Sequence, residues 1–435
     1  MTHDLGTTHD PGTTHHQEEP LSALPLDPTA PLAADAGSIS IGIVGAGQFS
    51  RSFATLWDLH PNVDRLTITD LVPERAKTLA DRYERATVVD SFEEMLDSDV
   101  DAVAIFTQRW THAPLVLAAL EAGKHVYSAV PMATELTDIE AIIAAVERTG
   151  LTYMMGETSY YNPATVFIRE KVREGALGQV FYAEGDYVHD MDLGFYAAYQ
   201  YSGGEDWKAT ASYPPMLYPT HAIGGVLGAL PTRAVSVSCI GVEDRRGDGV
   251  FDREVSQFGN SFSNATALFE LSDGGAMRTN EMRRVGYPSH IRESRFRFFG
   301  TEASFEQLAH QSVWNTKEAS TDVSADFVPV RSAVDEADLA DVDPALREAF
   351  TSGSTPVHDR SRLPAEYAEA PNGHEGSHHF LADDFVRGVV SGEHPPVDAW
   401  RSALFTAPGI VAHASALAGG QRMPIPDFGS RPERG

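Results

Sequence analysis

From Ser38 onward, short apolar runs rich in β-branched residues recur along the chain, and stretches with apolar positions at helical spacing separate them. The first run, Ile39, Ile41, Ile43 and Val44, leads into a glycine-rich turn and then a helical pattern bearing Phe53, Leu56 and Trp57. Similar runs at Leu66 to Thr69, Ala102 to Phe106, His125 to Tyr127 and Leu151 to Met155 predict further strands. Parallel strands need a crossover, usually a helix, so this alternation predicts an α/β unit with a doubly wound parallel sheet.

Beyond Pro163, placed to start a helix that runs to Gly175, the texture changes. Longer alternating segments at Gln179 to Val188, Ala234 to Ile240, Ala265 to Leu271, Ala276 to Met282 and Arg295 to Phe299 predict an open, mostly antiparallel sheet. Between Thr316 and Gly376 the chain is acidic and rich in Pro, Ser and Ala, with helical periodicity only near Pro344 to Phe350. Structureless loops of that length are uncommon inside compact domains, so an excursion that packs on a neighbouring subunit or rims the site is expected. Helices from His378 to Val390 and Ala399 to Ala418 close the chain. The expected division is a tail over 1–36, a doubly wound domain over 37–160 and a second α/β domain over 161–435.

Composition narrows the function classes. At 435 residues, with 42% apolar residues, the chain is long enough for two cores. Its apolar stretches are too short and interrupted to cross a bilayer, and a cytoplasmic protein is expected. A net charge of -29 argues against nucleic acid and anionic membranes as partners, since their phosphates would be repelled. The single cysteine, Cys239, alternates with Val235 and Val237 and reads as an inward strand position. The tail, with its repeated Thr-His elements, cannot offset its ordering entropy, and His3, His9, His15 and His16 read as solvated residues of a disordered segment.

The segment Gly45-Ala46-Gly47-Gln48-Phe49-Ser50 follows a strand and opens a helix, the context a dinucleotide-binding turn requires. The first glycine allows the tight turn, the second allows the pyrophosphate to approach, and the helix N-terminus offers N–H groups and a positive dipole; Ser50 keeps the third position small. The second strand ends at Asp70, where a carboxylate meets the adenosine ribose and repels a 2′-phosphate, so NAD is expected rather than NADP. Thr107 and His112 lie just past the next strand end, where open α/β sheets bind ligands.

Gly45-Ala46-Gly47, the Thr107 to His112 stretch, Gly123-Lys124-His125-Val126 before Pro131, and Phe299-Gly300-Thr301-Glu302-Ala303 together resemble the Gfo/Idh/MocA family, over nearly all of Ser38 to Pro426. The resemblance implies an N-terminal Rossmann domain that binds NAD. It also implies a C-terminal α/β domain whose open sheet mediates a homodimer or homotetramer and which holds a sugar or cyclitol. Val130 and Pro131 take cofactor-site positions in it. Dehydrogenases of the family usually carry Glu-Lys-Pro where this chain has Ala129-Val130-Pro131, so their substrate lysine is missing. Positions that usually hold Asp on either side of a histidine are Leu217 and Gly224 around His221.

What the chain does carry, Tyr218-Pro219-Thr220-His221 and Asp186-Tyr187-Val188-His189-Asp190, is similar to segments of NAD-dependent glycosidases of the same family, which include α-N-acetylgalactosaminidases and sulfoquinovosidases. That likeness implies hydrolysis by transient oxidation at C3, elimination at C1, water addition and re-reduction. His221, whose ordinary pKa is about 6.5, is then the candidate base for the C3 hydroxyl. Tyr187 is the candidate base at C2, with Tyr218 orienting or sharing that role; a phenol of pKa about 10 needs a cation nearby. His189 with Asp190 either assists the leaving group or forms a strand-end hydrogen bond. No ligand spacing points to a metal. Arg109, Trp110, Lys208 and Arg283 are candidate substrate contacts, with Arg278, Asn280 and Arg284 near the last of these; guanidinium groups suit a carboxylate or sulfonate, and an anionic sugar glycoside fits them. The alternatives are a sugar or polyol dehydrogenase using His221 in place of the lysine, and a noncatalytic NAD- or sugar-sensing protein.

Overall fold

The computed structural model describes residues 28–33, 35–286, 292–331 and 347–432. The tail histidines and Pro344 lie outside the described residues. The first sheet contains β1 (Ile39–Val44), β2 (Val63–Thr69), β3 (Ala86–Val88), β4 (Ala102–Ile105), β5 (His125–Ser128) and β6 (Tyr153–Met155), in the spatial order β3-β2-β1-β4-β5-β6 and parallel throughout. Helices α1 (Gln48–Leu59), α2 (Pro73–Ala80), α3 (Phe92–Asp97), α4 (His112–Glu121) and α5 (Leu136–Thr149) connect the strands. Every residue of β1 is buried, as a central strand covered on both faces must be. The strand order reverses between β1 and β4, and the crevice beyond their carboxyl ends is where such sheets bind ligands.

The second half contributes a nine-stranded sheet of β7 (Val180–Val188), β8 (Ala234–Glu243), β9 (Phe262–Leu271), β10 (Ala276–Met282), β11 (Ser294–Gly300), β12 (Ala303–Gln307), β13 (Ser312–Thr316), β14 (Ser320–Asp322) and β15 (Met423–Pro424). Its order is β14-β13-β12-β11-β7-β10-β9-β8-β15; β7 and β10 run parallel and the other pairings are antiparallel. One face is covered by helices. The other leaves Phe181, Ile240, Val242 and Leu268 exposed, while Cys239 points inward and is fully buried.

Helices α6 (Pro163–Arg173), α7 (Phe195–Gly203), α8 (Trp207–Ala211), α9 (Thr220–Leu227), α10 (Arg347–Thr351), α11 (Ser377–Ser391) and α12 (Ala399–Leu417) complete the chain. Helix α9 lies unusually close to β7, because a Cβ at Gly185 would stand 2.4 Å from the Ala222 carbonyl oxygen. That approach brings the first turn of α9 over the end of β7. The closing helices return to the first sheet: α11 packs on α1 and β1, and Trp57 Nε1 donates to the Ala382 carbonyl at 3.3 Å. Leu381, Phe385 and Val386 are buried in that contact, each contributing roughly 1.5–3 kcal/mol. Much of the expected excursion is core as well, since Leu363, Tyr367 and Ala370 are buried and Arg362 pairs with Asp383 at 2.6 Å. Among the described residues no helix is long and apolar enough to cross a membrane.

Candidate active site

The cofactor end of the site is built by the turn between β1 and α1. Gly45 has φ 95°, and a Cβ there would lie 2.8 Å from the Phe106 carbonyl oxygen, so only glycine fits. Above Gly47 nothing comes within 4 Å of a Cβ, which leaves the approach over the α1 N-terminus open. No side chain caps that terminus, and N–H groups at a helix N-terminus suit an anion. Ser50 is buried, its hydroxyl returning to the Gly47 carbonyl at 2.9 Å, and it shapes the turn from beneath. Asp70 stands at the end of β2 and accepts from Ala46 N at 2.7 Å and Val72 N at 2.8 Å, which fixes its carboxylate beside the glycine turn. These features fit a dinucleotide.

Two predicted cofactor residues act one layer back. His112 is fully buried, with Nδ1 2.7 Å from the Pro131 carbonyl and Nε2 3.2 Å from the Thr107 carbonyl. It therefore braces the Thr107 loop and the Val130-Pro131 peptide, and it has no ring nitrogen left for a ligand. Thr107 itself shares a 2.7 Å hydrogen bond with Thr111 at the start of α4.

Across the crevice, the ends of β6, β7 and α9 bring four groups together. The Tyr187 ring centroid is 4.6 Å from that of His221, and the Tyr218 centroid is 5.0 Å from it. His221 Nδ1 lies 2.8 Å from Glu157 Oε1, and Glu157, just beyond β6, is completely buried. Burial pushes the His221 imidazole down, but the Glu157 carboxylate more than offsets this and raises it to about 10. Burial likewise pushes Tyr218 up, yet His221 and Arg109 hold its phenol below the ordinary value. Arg109 sits over the Tyr218 ring, its guanidinium carbon 4.3 Å from the centroid. Tyr187 moves the other way: burial and then the Glu293 carboxylate hold its phenol well above 10.

The expected pairing of His189 with Asp190 does not form. Asp190 accepts backbone N–H groups from Asp192, Val285 and Gly286 and serves as a loop cap. His189 Nδ1 instead meets Glu293 at 2.8 Å and the Tyr187 hydroxyl at 3.1 Å. His189 Nε2 and Glu281 Oε1 are buried without a protein partner among the described residues, the pattern of a site that awaits a ligand.

Arg109, Tyr218 and Arg283 line a small, partly open pocket with Met191, Phe195, Tyr199, Ala211 and Tyr213. Arg283 Nη2 is 2.9 Å from Glu281, but burial pushes that carboxyl up to about 8, so the pair keeps net positive charge at pH 7. Lys208 does not line the cavity; its ammonium donates to the Asp248 carbonyl at 2.7 Å. Trp110 packs behind the wall against Tyr213 and Phe258. Arg278 pairs with Glu184, and Arg284 with Asp244 and Asp248, so neither offers its charge to the cavity. Sequence reasoning missed Glu157, Glu281 and Glu293. Glu157 had a legible signal, its place just past the carboxyl end of a parallel strand; Glu293 had none.

Residues 39–157 match the family model described as an oxidoreductase family with an NAD-binding Rossmann fold. The first domain thus has the NAD-binding Rossmann fold of that family model. NAD is accordingly its cofactor. A glycosyl hydrolase family 109 protein of Streptomyces niveus is 24% identical over 416 residues, covering 90% of this chain and 77% of that protein. A 4-carboxy-2-hydroxymuconate-6-semialdehyde dehydrogenase of Sphingobium sp. is 32% identical over 141 residues; the match covers 32% of this chain and only 44% of that enzyme's length. Among solved structures, an oxidoreductase from Agrobacterium radiobacter in complex with NAD+, L-tartaric acid and magnesium aligns with a TM-score of 0.65 at 15% identity, over 89% of this chain and 98% of that one. That last likeness speaks for the fold.

Proposed function

We propose that the chain is an NAD-dependent glycosidase that hydrolyses its substrate through transient oxidation at C3. The observation that carries this reading is the contact of Tyr218 with His221 beneath Arg109: two proton-transfer groups, shifted in opposite directions, stand on one turn. Oxidation of an alcohol needs one such group, whereas oxidation followed by elimination needs two. The likeness to a family 109 glycosyl hydrolase over most of the chain supports the same reading.

Gly47, Gln48, Phe49, Asp70 and Thr107 would hold NAD, which when bound supplies reversible hydride transfer. His221 Nε2 takes the C3 hydroxyl proton, since Nδ1 is held by Glu157. An imidazolium this stable must first be destabilised, and any further positive charge brought into the site does so. Tyr218, more acidic than an ordinary phenol, replaces Tyr187 as the base at C2, where the neighbouring ketone acidifies the proton. As that proton leaves, the C1–C2 double bond forms and the bond from C1 to the departing oxygen breaks. His189, held by Glu293, protonates that oxygen, and Tyr187 stays a neutral hydroxyl donor beside it. Water then adds at C1, Tyr218 returns the proton to C2, and His221 gives its proton back to the C3 oxygen as the hydride returns to C3. Arg109 and Arg283 suit a glycoside bearing an anionic substituent, a sulfonate among them. The exposed apolar residues on the open sheet suit a homodimer or homotetramer.

The test is incubation of purified protein with neutral, N-acetylated and sulfonated nitrophenyl glycosides, without and with added NAD, following nitrophenol and NADH together. Many turnovers of nitrophenol without net NADH support the glycosidase. Stoichiometric NADH without glycoside cleavage overturns it in favour of a sugar dehydrogenase.

A further inference from the structure

The turn that precedes α11 places two consecutive non-glycine residues in the left-handed region, His374 at φ 45° and Glu375 at φ 54°. Such backbone persists only where the surroundings over-determine it, and it concentrates at functional sites. Here the surroundings do so. Glu375 N donates to Ser352 Oγ at 2.6 Å, Asn162 Nδ2 donates to the Glu375 carboxylate, and Arg292 Nε stands 3.8 Å from it. Gly376 follows at φ 103°, where a Cβ would lie 2.8 Å from His358.

What this turn fixes is one imidazole. The His374 ring meets Phe49 edge-on with centroids 5.6 Å apart, and Phe49 belongs to the glycine turn. Besides His378, the charged and titratable groups that act on His374 include His221, Glu293, His189 and Glu157, all members of the acid–base cluster. His374 therefore stands between the pyrophosphate-binding turn and the groups that would handle the sugar. A dinucleotide that crosses the glycine turn and reaches those groups would pass His374.

The tautomer follows from its neighbour. His374 Nδ1 and His378 Nε2 are 2.7 Å apart and share one hydrogen. Burial holds both imidazoles below the ordinary value, His374 at about 4, so both are neutral at pH 7. If His374 donated, His378 would carry its hydrogen on Nδ1, which is buried without a partner. The reverse leaves only a lone pair unsatisfied there, the less costly arrangement. His378 therefore donates, and His374 carries its own hydrogen on Nε2, which has no hydrogen-bond partner among the described residues.

We infer that His374 is a cofactor-contacting residue supplied by the C-terminal segment, donating its Nε2–H to the nicotinamide half of NAD. A neutral imidazole suits that place, since an imidazolium would repel the positive ring of the oxidised cofactor. The inference rests on NAD binding by the first domain and does not require the glycosidase reading.

Calorimetric titration of the full chain, stripped of any copurified nucleotide, with NAD and separately with ADP-ribose tests it. His374→Ala removes the donor, and His374→Asn removes its reach while tolerating left-handed backbone. Both variants are expected to bind NAD about tenfold more weakly, equivalent to ~1.4 kcal/mol, and to bind ADP-ribose within about twofold of the parent. Equal weakening towards both ligands, or unchanged NAD affinity, would overturn it.

Discussion

Glu157 Oε1 and His221 Nδ1 meet at 2.8 Å across the two halves of the chain, one residue from just beyond a Rossmann strand and the other from the first turn of α9. A buried carboxylate and a buried imidazole each lose hydration, and each is tolerable only because the other is charged. The sign of the pH dependence follows. The folded pKa of His221, about 10, exceeds its ordinary 6.5, so its contribution to stability is complete below about 6.5 and is lost as pH rises through about 10. Glu157 is shifted below 4.5, so its contribution is present above that value and is lost as pH falls through the folded pKa. Glu157→Gln is therefore expected to cost about 3 kcal/mol near pH 7, with the deficit shrinking above pH 10. Urea unfolding of both proteins at the two pH values checks it, and a deficit that does not change with pH would count against the ion pair.

The opposite shifts of Tyr218 and Tyr187 rank the two phenols. Tyr218→Phe is expected to lower kcat by roughly 10²–10⁴-fold, the usual contribution of a positioned base, while NAD binding is retained. Tyr187→Phe removes a hydroxyl that touches His189 and is expected to cost about tenfold. Turnover of a substrate deuterated at C2 locates the step: exchange with solvent should vanish in the Tyr218 variant and persist in the Tyr187 variant. The reverse pattern would return the base role to Tyr187.

How much of this was legible in the sequence depended on the range of the interaction. The β1 to α1 turn, the Asp70 terminus and the inward Cys239 are set by local periodicity and strand ends, and they were read correctly. Strand β3, with three residues, and β12 to β14, which follow one another over short turns, lacked enough alternation to register. The tyrosines and His221 were found through short motifs, but their chemistry was not, because the groups that shift them are distant in sequence. Glu157 is 64 residues from His221, and Glu293 is 104 from His189. Residue type suggested a near-neutral His221 and a Tyr187 acidified by a cation; the Glu157 carboxylate raises the first, and burial with the Glu293 carboxylate raises the second.

Two glycines in one turn should respond differently to the same substitution. Gly45→Ala forces a side chain into left-handed backbone 2.8 Å from the Phe106 carbonyl oxygen, and should lose about 1–3 kcal/mol of stability together with NAD binding. Gly47→Ala meets no protein atom within 4 Å, so its melting temperature should match the parent while NAD affinity falls at least tenfold. Thermal unfolding with and without NAD separates the two. A Gly47→Ala protein that still gains the parent's full NAD stabilisation would show that the pyrophosphate does not cross this turn.

The cations of the cavity make the substrate's charge testable. Arg109 lies over Tyr218 and donates to the Tyr199 hydroxyl at 3.1 Å, with its Nε buried and without a partner among the described residues. Two functions are combined in it: attraction of an anion, and acidification of Tyr218. They separate kinetically. Arg109→Gln should raise KM about tenfold or more for sulfonated glycosides and little for neutral ones, whereas the lost acidification of Tyr218 should lower kcat for every glycoside alike. The second cation has its own pH signature. Glu281, raised to about 8 by burial, is protonated at pH 7 and leaves the charge of Arg283 uncompensated. Raising the pH through about 8 ionises Glu281 and offsets that charge, so KM for sulfonated glycosides should climb across this range while KM for neutral ones stays flat. Flat KM profiles for both classes, with Arg109→Gln affecting kcat alone, would mean that these guanidinium groups tune the phenol and do not read the substrate.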